Sequence, residues 1–130
     1  MTAFAESNGH RGTVLVVDDE EDIREAVRRL LARDGYSVLV CGDPADAVEL
    51  CRSHEETIHL LLTDALMPRM SGQQLATLLT RMRDDLAVLY MSGYPKEIAV
   101  REGIVEVGTM VLEKPFTRES LLAAVQAALV

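Results

Sequence analysis

The chain has no tryptophan, only two cysteines, and 13 basic residues against 21 acidic ones, which leaves a formal charge of −8 over 130 residues. Each shortage removes a class of function. A nucleic-acid surface needs a basic stripe, and Lys and Arg gather nowhere in the sequence, so direct nucleic-acid binding is not expected. Cys41 and Cys51 lack CxxC spacing and have no His set at ligand intervals. They read as reduced thiols packed as small hydrophobes rather than as a disulfide framework. Met1 to Gly12 holds no apolar stretch of the signal-peptide kind, and no run approaches the roughly 20 residues that span a bilayer. The expectation is a cytoplasmic chain with no membrane insertion, a disordered tail over residues 1–12 and a single domain over 13–130.

Present instead are short apolar runs that each stop at a polar residue. Val14 to Val17 runs into Asp18 and Asp19, Leu60 to Leu62 into Thr63 and Asp64, Val88 to Met91 into Ser92, and Met110 to Leu112 into Glu113, Lys114 and Pro115. Runs of this length, rich in Val and Leu and without alternation, predict strands buried on both faces, as in a parallel sheet covered by helices. A further strand is expected over Ser37 to Cys41. Between strands, Ile23, Ala26, Val27, Leu30 and Leu31 recur at helical spacing, as do Leu75, Leu78, Leu79 and Met82 after the turn at Ser71-Gly72. Asp43-Pro44 supplies an N-cap and first helical residue for a helix burying Ala47, Val48 and Cys51, and Thr117 can cap a last helix burying Leu121, Leu122, Val125 and Leu129. Gly103 and Gly108 leave room for only a short helix near Lys96 to Glu102. Five strands alternating with five helices predict an α/β fold, a (βα)5 doubly wound parallel sheet with right-handed crossovers.

In such a sheet the carboxyl ends of the strands share one edge, where ligands bind. Asp18, Asp19, Asp64, Ser92 and Lys114 would then converge. Taken singly, each has an ordinary explanation: an acidic pair before a helix is favoured by capping and by the helix dipole, and a strand-end Asp or a Ser-Gly turn is common. Together they do not. Three carboxylates held close repel and raise at least one pKa, a cost that a bound cation would offset. Mg²⁺ suits oxygen ligands and accepts phosphate oxygens into its shell; Asp64 can then act as a nucleophile forming an acyl phosphate, with Lys114 as cation and Ser92 as hydroxyl donor.

The strings VLVVDDEEDIREAVRRLL, LLLTDALMPRMSG, LYMSGYP and LEKPF, in this order across residues 13 to 129, resemble the receiver domain of bacterial two-component response regulators. That resemblance implies the flavodoxin-like strand order 2-1-3-4-5. It makes Asp64 the phosphoacceptor, gives Mg²⁺ to Asp18, Asp19, Asp64 and the backbone carbonyl of Leu66, and assigns Ser92 the switch hydroxyl and Lys114 the phosphoryl contact. A cis Lys114-Pro115 bond is implied too. The partner would be a histidine kinase or a histidine phosphotransfer protein, with a weak homodimer left open. SGYP followed by a reduced fourth helix is similar to receivers of hybrid sensor histidine kinases. One departure stands out: three residues before the lysine, where the family usually has Tyr or Phe, this chain has Val111. Leu66 and Tyr94, two residues beyond Asp64 and Ser92, flank the path of hydrolytic water by the same resemblance.

Rival readings are a phosphohydrolase of the haloacid-dehalogenase type, which needs a DxD motif after the first strand, a flavodoxin-like cofactor module, and a pseudo-receiver acting through protein contacts alone. The first strand ends in a contiguous Asp pair, and no Gly, Ser or Thr follows Val17 to cradle a phosphate. His10, His54 and His59 share no ligand spacing and are expected at the surface or in packing roles. Ile104, Val105 and Val107 are expected either against the last strand or on a partner surface.

Overall fold

A computed structural model of the chain describes residues 11–130. Five strands, β1 (Thr13–Val17), β2 (Ser37–Cys41), β3 (Leu60–Asp64), β4 (Ala87–Ser92) and β5 (Val111–Glu113), alternate with five helices, α1 (Glu21–Arg33), α2 (Pro44–Ser53), α3 (Gly72–Met82), α4 (Lys96–Arg101) and α5 (Arg118–Leu129). All strand pairs are parallel and the order is β2-β1-β3-β4-β5. This is the expected doubly wound sheet. The expected tail, residues 1–12, falls almost wholly on residues 1–10, which lie outside the described residues.

Alternate residues of each strand feed opposite faces. Leu15, Val17 and Leu61 pack with Ala47 and Cys51 of α2, Leu75 and Leu79 of α3 and Ala99 of α4. Val14, Val16, Leu60 and Leu62 pack on the other side with Val27 and Leu31 of α1 and Leu121, Leu122 and Val125 of α5. Both faces are covered, which is why β1 and β3 carry no alternation in sequence. Leu78 and Met82, expected in the apolar stripe of α3, lie at its margin, 38% and 40% exposed.

Caps fall where side-chain chemistry directs. Asp43 accepts from the Ala45 amide at 2.8 Å ahead of Pro44; Ser71 with Gln74, and Thr117 with Ser120, close capping boxes on α3 and α5. Pro95 sits at the N-cap of α4. After α4, Val105 is buried and Ile104 packs beside it, whereas Val107 is 83% exposed. Cys41 and Cys51 are free and buried; burial, with lesser contributions from Asp46 and Cys51, pushes the Cys41 thiol up to about 11, so it is a neutral packing group. The ring of His59 accepts from the Thr13 amide at 2.9 Å, at the amino end of the sheet.

Register brings the strand ends level. Val17 faces Cys41 and Thr63, Asp64 faces Met91, and Ser92 faces Glu113. The turn from β3 into α3 closes tightly, the Gly72 amide donating to the Ala65 carbonyl at 2.9 Å. A Cβ on Gly72 would lie 2.5 Å from the Asp64 carbonyl oxygen and 3.0 Å from the Ala65 Cα, both backbone atoms that cannot step aside cheaply. Gly72→Ala is therefore expected to destabilise the protein by about 1–3 kcal/mol, seen as a lower urea midpoint with an unchanged slope. An unaltered midpoint would show that the turn is looser than this contact requires.

Candidate functional site

Four backbone segments meet at the carboxyl edge. Asp18 and Asp19 follow β1, Asp64 ends β3, Ser92 ends β4 and Lys114 follows β5. Carboxylate oxygens of Asp18, Asp19 and Asp64 lie within 4.8 Å of one another. They differ in exposure: Asp18 is buried, Asp64 half-buried and Asp19 exposed. Lys114 Nζ lies 2.9 Å from Asp18 Oδ2, 3.5 Å from Asp64 Oδ2 and 3.9 Å from Glu20 Oε1.

Asp18 is held at every polar atom. Its amide donates to the Cys41 carbonyl at 3.2 Å, and its own carbonyl accepts from Arg24 Nη1 at 2.8 Å. Oδ1 accepts from the Glu20 amide at 2.8 Å and Oδ2 from Lys114 at 2.9 Å. A wholly buried carboxylate needs such partners, since an isolated charge in the interior costs several kcal/mol or more. Glu20 is the α1 N-cap but makes no capping bond with its side chain, so the acidic residues ahead of this helix are not explained by side-chain capping.

The lysine is shared unequally, and the carboxylates feel it. Burial raises the Asp64 pKa; Lys114 opposes this, Asp18 adds to it, and the Leu66 amide, hydrogen-bonded to the carboxylate, lowers it, but the net direction is upward. Repulsion was the expected cause of a raised pKa, yet desolvation leads and the neighbouring carboxylate is secondary. Burial also works to lower the Lys114 pKa, but the hydrogen bonds and charges of Asp18 and Asp64 outweigh it and the net shift is upward. Lys114 is thus a committed cation, drawn closer to Asp18 than to Asp64.

Ser92 is buried at the same edge, its Oγ accepting from the Tyr94 amide at 3.0 Å while its carbonyl accepts from the Lys114 amide at 2.7 Å. The Lys114-Pro115 bond is cis. Leu66 and Tyr94 flank the site, 48% and 47% exposed. Val111 is half-buried in register with Tyr90 of β4. Arg24 and its neighbour Gly42 were not anticipated from the sequence. The available signal was a cation near the start of a helix that otherwise opens with Glu21 and Asp22, against the preference of the helix dipole.

The donor set fits Mg²⁺. Oxygens 2.0–2.1 Å from an octahedral ion stand at most about 4.2 Å apart, close to the separations already present, and the exposed Asp19 leaves room for water ligands. Nitrogen and sulfur donors are absent from this group, which disfavours zinc. Among the described residues, no helix is long and apolar enough to cross a membrane.

Residues 14–126 match the family model of the response regulator receiver domain. Response regulator MprA of Mycobacterium avium (strain 104) is 34% identical over 116 residues, covering 89% of this chain and 50% of that protein; the chain spans about half the length of the curated relatives it matches. The solved receiver domain of the hybrid histidine kinase CckA is 30% identical, with a TM-score of 0.76, over 92% of this chain and all of that one. A receiver protein of Sinorhizobium medicae WSM419 has 27% identity and a TM-score of 0.76, over 90% of this chain and 93% of that one. With sheet order, motif order and nearly the full length in agreement, the chain belongs to the response regulator receiver domain family, the receiving module of two-component phosphorelay signalling.

Proposed function

We propose that the chain accepts a phosphoryl group from a phosphohistidine onto Asp64 in a Mg²⁺-dependent reaction and responds as a conformational switch. The observation that carries this reading is the meeting of three carboxylates with one shared lysine at the sheet edge. Asp64 Oδ attacks phosphorus as the P–N bond to the donor imidazole breaks; a P–O bond forms, and the departing nitrogen keeps the electron pair. No general base is required, because an ionised carboxylate carries no proton to remove.

Asp18, Asp19, Asp64 and the Leu66 carbonyl would hold the metal. When bound, Mg²⁺ supplies positive charge against the phosphoryl oxygens. Lys114 is already charged and half-buried beside Asp64, so it can pair with a phosphoryl oxygen without a large movement. Ser92 would donate its hydroxyl to another, exchanging the contact its Oγ now makes with the Tyr94 amide. The donor is a histidine kinase or a histidine phosphotransfer protein, which places the reaction in the cytoplasm. The likeness to the CckA receiver favours a hybrid-kinase setting, and MprA-like regulators are the alternative context. A haloacid-dehalogenase-like hydrolase would place its nucleophile after β1, where Asp18 is instead occupied by Lys114 and the Glu20 amide. A pseudo-receiver would not need the full acidic set.

Three outcomes are expected. Incubated with a small phosphodonor and Mg²⁺, the wild type should gain one hydroxylamine-sensitive phosphoryl group by intact mass, and Asp64→Asn should gain none; full labelling of that variant would sink the assignment. Mg²⁺ at a hundred times its dissociation constant should stabilise the wild type by about 2.7 kcal/mol. Asp19→Ala should lose that response yet melt above the wild type in chelator, having shed part of the repulsion; a wild type with no thermal shift at tens of millimolar, well above a plausible dissociation constant, would refute the metal site. Finally, the apolar Leu66 and the Tyr94 ring cannot orient water as an amide or carboxylate would. The acyl phosphate should persist, and Leu66→Asn/Tyr94→Glu should release phosphate severalfold faster; a double variant no faster than wild type would remove these side chains from control of water.

A further inference from the structure

The peptide unit joining Asp18 to Asp19 carries both acidic residues that follow β1, and its carbonyl is gripped from outside the cluster. Arg24 Nη1 donates to that oxygen at 2.8 Å. Arg24 lies four residues into α1, where a cation opposes the helix dipole, so its position calls for a compensating interaction. It reaches the carbonyl by crossing Gly42, in the turn between β2 and α2. A Cβ on Gly42 would stand 2.6 Å from Arg24 Nη1 and 3.0 Å from Cζ, and no other residue comes as near. The space left by the missing side chain is filled by the guanidinium. The same guanidinium lowers the pKa of Cys41, against the burial that raises it, which places its charge beside the end of β2 as well.

We propose that Arg24 is a positioning residue for divalent-cation binding: seated in the space over Gly42, it fixes the Asp18–Asp19 peptide so that the exposed Asp19 carboxylate is presented toward Asp64. The inference rests on the metal site described under the proposed function. The amide of Asp18 is fixed by the Cys41 carbonyl and its side chain by Lys114 and the Glu20 amide. Asp19, by contrast, is exposed, and the orientation of its backbone is set by the peptide whose oxygen Arg24 holds. That oxygen, once bound to Arg24, cannot turn inward to compete with the carboxylates for the ion. The guanidinium also adds a fixed positive charge behind the acidic group, which offsets part of its repulsion when no ion is present.

Gly42 provides a test that removes no functional group. Gly42→Ala adds one methyl, which collides with the far end of the flexible Arg24 side chain rather than with backbone, so the guanidinium is displaced while the fold is kept. Arg24→Gln removes the donor directly. Mg²⁺ affinity, measured by calorimetry on the unphosphorylated protein, is expected to weaken about tenfold in each single variant, at the lower end of what residues supporting metal ligands show. The double variant should be no worse than Arg24→Gln, because the added methyl then has no guanidinium to displace. Arg24→Lys should recover part of the affinity. Phosphorylation of the single variants should be slow at low Mg²⁺ and return toward the wild-type rate at saturation. Wild-type affinity in either single variant, or losses that add in the double, would overturn the role of Arg24 and leave the metal site standing. A wild type that binds no Mg²⁺ would instead overturn the metal site and this inference with it.

Discussion

The Lys114–Asp18 ion pair is the contact on which the carboxyl edge depends. Asp18 is wholly buried and its oxygen lies 2.9 Å from the lysine, so the pair removes two charges from water at a cost that only close geometry and further hydrogen bonds repay. The structure supplies both. Glu20 holds the second oxygen, and the Lys114 amide is fixed on the Ser92 carbonyl. Deleting the cation would strand a buried carboxylate, a loss of about 3–5 kcal/mol in comparable pairs. Since β1 and β5 are separated by β3 and β4 in the sheet, this one contact ties residues 96 positions apart across the top of the sheet.

That arrangement also sets the chemical character of Asp64. If the lysine were centred on Asp64, its charge would be fully compensated and the carboxylate would be a poor candidate for reaction. Instead the nearer partner is Asp18, at 2.9 Å against 3.5 Å, and burial wins over attraction in setting the direction of the Asp64 shift. Asp64 is left under-neutralised and half-buried. An incoming cation beside Asp64 would relieve that imbalance, because Asp18 already holds the lysine.

Much of this was legible in the sequence, for physical reasons that also explain the gaps. β1 and β3 are buried on both faces, so Val14 to Val17 and Leu60 to Leu62 read as unbroken apolar runs whose ends mark the edge. Asp43 and Thr117 announce helix starts because capping is local chemistry, whereas Ser71, read only as part of a turn, also closes a capping box. β5, three residues long, begins at Val111 rather than at the expected Met110, since so short a strand is set by its pairing with Tyr90 to Ser92 more than by its own residues. The Arg24 contact with the Asp18 carbonyl and the space above Gly42 were missed, because they join segments through a backbone oxygen and a missing Cβ. The only trace in the sequence was a cation near the start of α1, which gives no partner.

The departure at Val111 constrains how a change at Asp64 can travel. Valine has a single side-chain torsion and no polar tip, so no ring at this place on β5 can turn between a buried and an exposed position. Its register partner Tyr90 carries an aromatic ring one strand further in, packed in the core, and lines a cavity of about 200 Å³ with Gln73, Gln74, Thr77 and Glu106. Tyr90 and Ser92 are two residues apart on β4, so their side chains leave the same face of the sheet. The ring also packs against the Gly72 turn, where a Cβ would stand 3.2 Å from its Cδ1, and that turn begins at the Asp64 carbonyl. Displacement at the end of β3 therefore has two routes, through Lys114 directly to the end of β5 and through this ring into the core, and a close-packed interior transmits such shifts rather than absorbing them.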